Sequence, residues 1–339
     1  MSRLTAIQLV LGSILSLCSI ASAHAGSNYE TLHTFTGAPD GRGGYAELVP
    51  GPDGLLYGTT TYGGTGIGCG TYGCGTVFRM SRMGEVKVLH SFERVTDDGA
   101  QPRAAMLLGA DGNFYGTTSS GGAFGYGILY RMTPKGKFTQ LHSFDFEAKE
   151  GIRPASRLVQ TPDGALWGTT VDGGAGEGPY CVSAGGAGCG TVFRYLESEG
   201  LTTVHSFSGE LTDGAFPQAG LLLASDGYLY GTTHDGGKTN QGTVFRVSQR
   251  GVTKVMHHFD GLHGQAPSAA LIQASDGRLY GTTFYGGDDS CGAGCGIVFS
   301  LGLDRSFRVE HRFKHGDGGS APLGRLLEGP DGRLYGTAF

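Results

Sequence analysis

The residues of this sequence that could do chemistry stand out only when equivalent positions are lined up. Counting back six from the aspartate of six recurring Asp-Gly steps gives Glu47, Ala105, Arg157, Gly220, Ala270 and Arg325. Counting back eight gives Tyr45, Arg103, Ala155, Gln218, Ser268 and Leu323. Arginines brought together repel unless an anion or a carboxylate lies between them, so Tyr45, Glu47, Arg103, Arg157 and Arg325 form a candidate site for a polar or acidic ligand. The alternative is that these charges simply form salt bridges or meet solvent. Glu47, and Asp98 in a nearby loop, are the candidate catalytic acids if a reaction occurs there. No Gly-x-Ser-x-Gly elbow, His-Glu-x-x-His pair or phosphate-cradling loop accompanies them.

Histidines and cysteines invite metal chemistry, and their placement argues against it. His33, His90, His142, His205, His257 and His311 recur in a His-x-Phe motif, one per repeat, which reads as scaffold because the copies would be far apart. Six cysteines form three close pairs, Cys69 with Cys74, Cys181 with Cys189 and Cys291 with Cys295. Even numbers at short spacing predict local disulfides, and pairs from repeats one, three and five cannot pool ligands for zinc. No metal and no cofactor is expected.

The element that must position these residues is an internal repeat. Asp-Gly-x-(Leu/Phe)-(Tyr/Trp)-Gly-Thr begins at Asp53, Asp111, Asp163, Asp226, Asp276 and Asp331, at intervals of 50 to 63 residues. Each period holds an apolar segment before Asp-Gly (strand A), Leu-Tyr-Gly-Thr-Thr (B), Gly-Thr-Val-Phe-Arg (C) and Leu-His-Ser-Phe (D). Asp-Gly between apolar runs is a strong hairpin signal, because both residues tolerate the positive φ that matches strand twist. Four strands per period predict an all-β propeller of about six four-stranded blades in place of a solenoid, whose coils are shorter. In such a meander the B-to-C and D-to-A loops share one face, which is the candidate binding face.

Composition agrees. Glycine takes 64 of 339 residues, which disfavours long helices, and the hydrophobic fraction of 39% is too high for a disordered chain. A net charge of −5 leaves no basic excess for nucleic acid. Residues 1–25, with Arg3, an apolar run and Ala23-His24-Ala25, read as a signal peptide, so residues 26–339 are expected to be the repeat domain of a secreted, extracellular or periplasmic monomer that does not insert in a membrane. Tyr29 to Phe35 resembles a D strand and would complete an otherwise imperfect last blade.

Leu-Tyr-Gly-Thr-Thr, Gly-Gly, Gly-Thr-Val-Phe-Arg and Leu-His-Ser-Phe together resemble the GloVer tandem-repeat family of secreted or surface-anchored bacterial proteins, over nearly all of residues 26–339. The resemblance implies a β-propeller-like repeat domain, often followed by a C-terminal anchor, and brings no catalytic residues with it. The sequence ends at Phe339, after strand B of the sixth repeat, which argues against surface attachment. The absence of any catalytic motif makes a non-enzymatic binding or structural module for an extracellular glycan or protein the leading expectation. The alternative is a propeller lyase, lactonase or hydrolase acting on a carbohydrate or lactone at the channel mouth, which two neighbouring carboxylates or a bound metal would favour.

Overall fold

A computed structural model of the chain describes residues 30–95, 97–182, 188–316 and 319–338. The expected signal segment lies outside these, as do Tyr29 and Asp317. The chain divides into Met1–Thr34 and Phe35–Phe339, and the repeats belong to the second unit. It is all-β, with 39% strand and 3% helix.

Repeats one to five each form an antiparallel meander in the order A-B-C-D, and in repeat three Ile152–Pro154 also pairs with the end of strand B as a fifth strand. In repeat one the strands are Val49–Pro50, Leu56–Thr60, Thr76–Met80 and Val86–Ser91. Repeat two has Leu107–Leu108, Phe114–Thr118, Ile128–Met132 and Phe138–Ser143, and repeat three has Val159–Gln160, Leu166–Asp172, Thr191–Leu196 and Gly200–Ser206. Leu222–Leu223, Leu229–Thr233, Thr243–Val247 and Thr253–His258 make repeat four; Ile272–Gln273, Leu279–Thr283, Ile297–Leu301 and Phe307–Arg312 make repeat five. Among the described residues the sixth has A (Leu327–Glu328) and B (Leu334–Tyr335). Strand A is shorter than its apolar segment: in repeat one pairing stops at Val49↔Tyr57, and the residues before it line a cavity instead.

One expectation fails here. Residues 30–36 form no strand. The physical reason is that a D strand must pair with C, and the sixth repeat has no C strand among the described residues to offer an edge.

Burial explains why the sheets stack. Buried clusters join repeats one and two (Tyr57, Phe92, Phe114, Tyr130), two and three (Tyr115, Phe144, Leu158, Phe193), three and four (Trp167, Phe207, Leu229, Phe245), and four and five (Tyr230, Phe259, Leu279, Phe299). The sheets of repeats two, three and four therefore hide both faces against their neighbours. Strand B carries a glycine where this packing is tightest: a Cβ on Gly58 would lie 2.6 Å from Phe78 and 2.7 Å from Leu48.

The recurring polar residues are scaffold. Asp53 accepts hydrogen bonds from the Leu55 N–H at 3.2 Å and the Tyr57 O–H at 2.8 Å. Asp111, Asp226, Asp276 and Asp331 take the tyrosine four residues on in the same way. Burial, reinforced by the aspartate, pushes Tyr115, Tyr230 and Tyr280 up to about 12. In repeat three Trp167 donates instead to the Thr161 hydroxyl at 3.1 Å.

The His-x-Phe motif has a geometric meaning. In five repeats the imidazole meets the following phenylalanine edge-on, with centroids 4.7 to 5.5 Å apart. The N–H of that phenylalanine returns to the glycine that opens strand C, as in Phe92 to Gly75 and Phe144 to Gly127, both at 3.0 Å. The residue before each D-to-A proline then takes a positive φ: 59° at Gln101, 57° at Arg153 and Phe216, 55° at Ala266 and 49° at Ala321. A left-handed non-glycine residue costs roughly 1 kcal/mol, and here its N–H reaches the carbonyl just before strand C of the preceding repeat, at 2.7 to 3.0 Å.

Candidate functional site at the mouth of the central cavity

The starts of all six A strands line one cavity of about 430 Å³. Small residues make this possible, since Ala46, Ala104, Ser156, Ala219 and Ala269 stand at one equivalent level and let the strands approach. Threonines of strand B bind neighbouring repeats together behind them: Thr59 donates to the Ala104 carbonyl at 3.2 Å and Thr169 to that of Ala219 at 3.1 Å.

The structure brings three of the five sequence-selected residues into contact. Glu47 of repeat one lies between Arg157 of repeat three and Arg325 of repeat six. Its carboxylate accepts from Arg157 Nη1 at 3.5 Å, Arg325 Nε at 3.3 Å and Arg325 Nη2 at 3.3 Å. These distances are long for charge-assisted hydrogen bonds, and the Glu47 side chain is 52% exposed, so the three groups retain hydrogen-bonding capacity toward solvent. Arg103 and Tyr45 line the same cavity without joining the triad. Three arginines against one glutamate leave the lining with a formal charge of 3 − 1 = +2.

Asp98 is not at this mouth. It is held by His90 Nε2 at 2.8 Å and by the N–H groups of Glu93 and Gly99, at 3.3 and 2.8 Å. Glu150 takes His142 at 2.7 Å and Asp213 takes His205 at 3.2 Å, so these acids clasp strand D to the loop that follows it. Sequence inspection missed the clasp because its partners are eight residues apart across a loop. The recurrence of an acid four residues before a proline was its signal.

Glu47 is therefore the one carboxylate lining the cavity among the described residues, and the paired acids of a glycosidase are not assembled. No three of His, Cys, Asp and Glu converge to hold a metal among the described residues. The cysteines join as expected, Cys69 with Cys74, Cys181 with Cys189 and Cys291 with Cys295, each in a B-to-C loop beside a short helical turn.

Residues 19–181, 65–293 and 179–339 match the model of the Gloeobacter/Verrucomicrobia repeat. The chain belongs to this family. That is the GloVer repeat to which the motifs pointed. No curated protein sequence matches this member of the family at a significant level.

Among solved structures this GloVer protein is similar to a gluconolactonase of Xanthomonas campestris, at 14% identity and a TM-score of 0.50 over 88% of this chain and 84% of that one. A luciferin-regenerating enzyme matches at 13% and 0.50 over 88% and 83%, and a candidate 6-phosphogluconolactonase of Bacteroides fragilis at 18% and 0.50 over 80% and 72%. At such identities the likeness speaks to the fold, a β-propeller-like one. It corrects the expectation of a non-enzymatic module, because these solved examples of the fold are lactonase-type and other enzymes, and the lack of a motif carries little weight in a fold that builds sites from scattered residues.

Proposed function

We propose that this GloVer protein is a propeller enzyme that opens the ring of an anionic sugar lactone at the mouth of the cavity. The observation that carries this reading is Glu47 set between Arg157 and Arg325, three repeats meeting at one half-exposed carboxylate. Ester hydrolysis needs one base and donors for the developing oxyanion, and this set supplies both, whereas glycosidic cleavage asks for two carboxylates.

In the proposed step the Glu47 carboxylate accepts a proton from a water as that water attacks the lactone carbonyl. Arg325 or Arg157 donates to the carbonyl oxygen as it becomes negative. Collapse of the tetrahedral adduct breaks the ring C–O bond, and the proton on Glu47 passes to the departing alkoxide, so one water is consumed and a hydroxy acid leaves. The excess positive charge of the lining favours a substrate that also carries a carboxylate or phosphate.

The six repeats are proposed to close as one ring. Residues from every repeat along a single cavity support this. Export of the chain as a secreted or periplasmic monomer is proposed on the leader alone.

The test is acid release from aldonic and uronic acid lactones, followed with a pH indicator. Turnover above spontaneous hydrolysis is expected, with a fall in kcat of about 100-fold or more in Glu47→Gln. Turnover that survives Glu47→Gln unchanged, or none in the parent chain, overturns the assignment.

A further inference from the structure

A second cavity of about 400 Å³ opens beside the mouth, lined by Arg42, Gly43, Tyr45, Tyr62, Cys69, Tyr72 and Gln101. Tyr45 lines both cavities, so the two are neighbours on either side of one ring. We propose that this cleft binds a sugar ring covalently linked to the one held at Glu47, making the ligand an extended acidic oligosaccharide.

Three tyrosines in one cleft are a departure from the repeat. Where repeat one has Tyr45, the others have Arg103, Ala155, Gln218, Ser268 and Leu323. Where it has Tyr62, repeats two to five have Ser120, Asp172, Asp235 and Tyr285. Packing does not account for the rings, since Tyr45 is 77% and Tyr72 63% exposed. Large exposed rings beside a polar pocket are placed as ligand groups are placed, with an apolar face for C–H surface and a hydroxyl at the edge.

The backbone that carries the rings is tied down. Arg42 and Tyr62 exchange backbone hydrogen bonds at 2.8 and 2.9 Å, and the Tyr72 carbonyl accepts from the Gly63 N–H at 2.7 Å. The Cys69–Cys74 bridge closes the loop that holds Tyr72 in its short helical turn, Gly70–Tyr72. Tyr62 and Tyr72 lie 6.1 Å apart at 53°, a splayed pair that leaves ring faces accessible. Between the walls sits Gly43 at φ 70°, where a Cβ would come within 3.0 Å of Tyr45 and 3.4 Å of Tyr62. A side chain there would fill the gap. Arg42 and Gln101 provide donors and an acceptor at the rim for hydroxyl and carboxylate groups.

This inference extends the proposed site to its ligand class but rests on ring stacking, not on catalysis, and binding tests it. Galacturonic acid and its linear trimer are titrated calorimetrically into the parent chain, Tyr72→Ala and Glu47→Gln. The trimer is expected to bind at least tenfold more tightly than the monomer, and Tyr72→Ala to erase that advantage while the melting temperature stays within about 1 °C. Equal affinity for monomer and trimer, no binding of either, or a trimer affinity unmoved by Tyr72→Ala overturns the cleft. If Glu47→Gln binds the trimer in the Tyr72-dependent way and the parent chain opens no lactone, the reaction fails and the cleft stands.

Discussion

The loops leaving strand D of repeats three and four begin alike and are held differently. In repeat three Asp213 reaches His205 at 3.2 Å and also accepts the N–H groups of Ser208 at 2.8 Å and Gly214 at 2.9 Å. Burial works against this carboxylate, yet the His205 bond and charge and the two backbone donors hold it below the usual aspartate range. In repeat four His263 stands at the acid's position and pairs with Asp260 at 2.8 Å. His257 is left with its Nε2 buried and without a partner among the described residues, its ring lying flat on Phe307 at 3.7 Å. A residue repeated in every sheet therefore need not do the same task in each. The histidine is a polar clasp in repeat three and a packing ring in repeat four.

The comparison breaks most directly at Asp213. Asp213→Ala leaves two N–H groups and an imidazole without their acceptor, and a loss of about 3 kcal/mol is expected in urea unfolding at pH 7. The equivalent change in repeat four, His263→Ala, should cost less than about 1 kcal/mol. Equal losses would mean that the clasp contributes nothing particular.

Acid should separate the two repeats next. Burial, opposed by Asp260 and aided by His258 and His263, pushes His257 down to about 4. An unfolded imidazole protonates near 6.5, so stability is expected to fall as pH drops from about 6.5 to about 4, by at most about 3 kcal/mol, with no further loss from this group below that. Asp213 behaves oppositely in range: its contribution persists at neutral pH and disappears only as pH falls through its lowered value, below that of an unfolded aspartate. His257→Phe should flatten the first window and leave the second intact. Unfolding midpoints at pH 7, 5 and 3 distinguish these outcomes.

The smallest effect sharpens the comparison by rebuilding the clasp. His263→Asp should change stability at pH 7 by less than about 1 kcal/mol but raise the titration midpoint of His257, which proton resonances of the imidazole would report. A midpoint that stays near 4 would show that the loop of repeat four cannot bring an acid to the ring.

Much of this was legible because the period makes positions comparable. Glu47, Arg157 and Arg325 share one offset from Asp-Gly, and a shared offset on strands that converge becomes a shared location. The cysteine pairs were legible because four to eight residues of separation leave few other partners. What could not be read were contacts across loops without a common offset. Asp98 looked like a mouth residue because it sits in a D-to-A loop, yet its carboxylate is taken by His90 and does not line the cavity. Tyr72 reaches the aromatic cleft only through a helical turn and a disulfide that belong to one repeat.

The left-handed residue before each proline has a consequence for how the molecule comes apart. Gln101, Phe216 and Ala266 each donate backward to one repeat and accept forward from the next, from the N–H groups of Ser119, His234 and Phe284. Each is a rivet through two plates, so the natural module of the chain is the seam, not the sheet. Peeling off any one repeat opens the polar backbone of its neighbour, and the array should therefore melt as a single cooperative body.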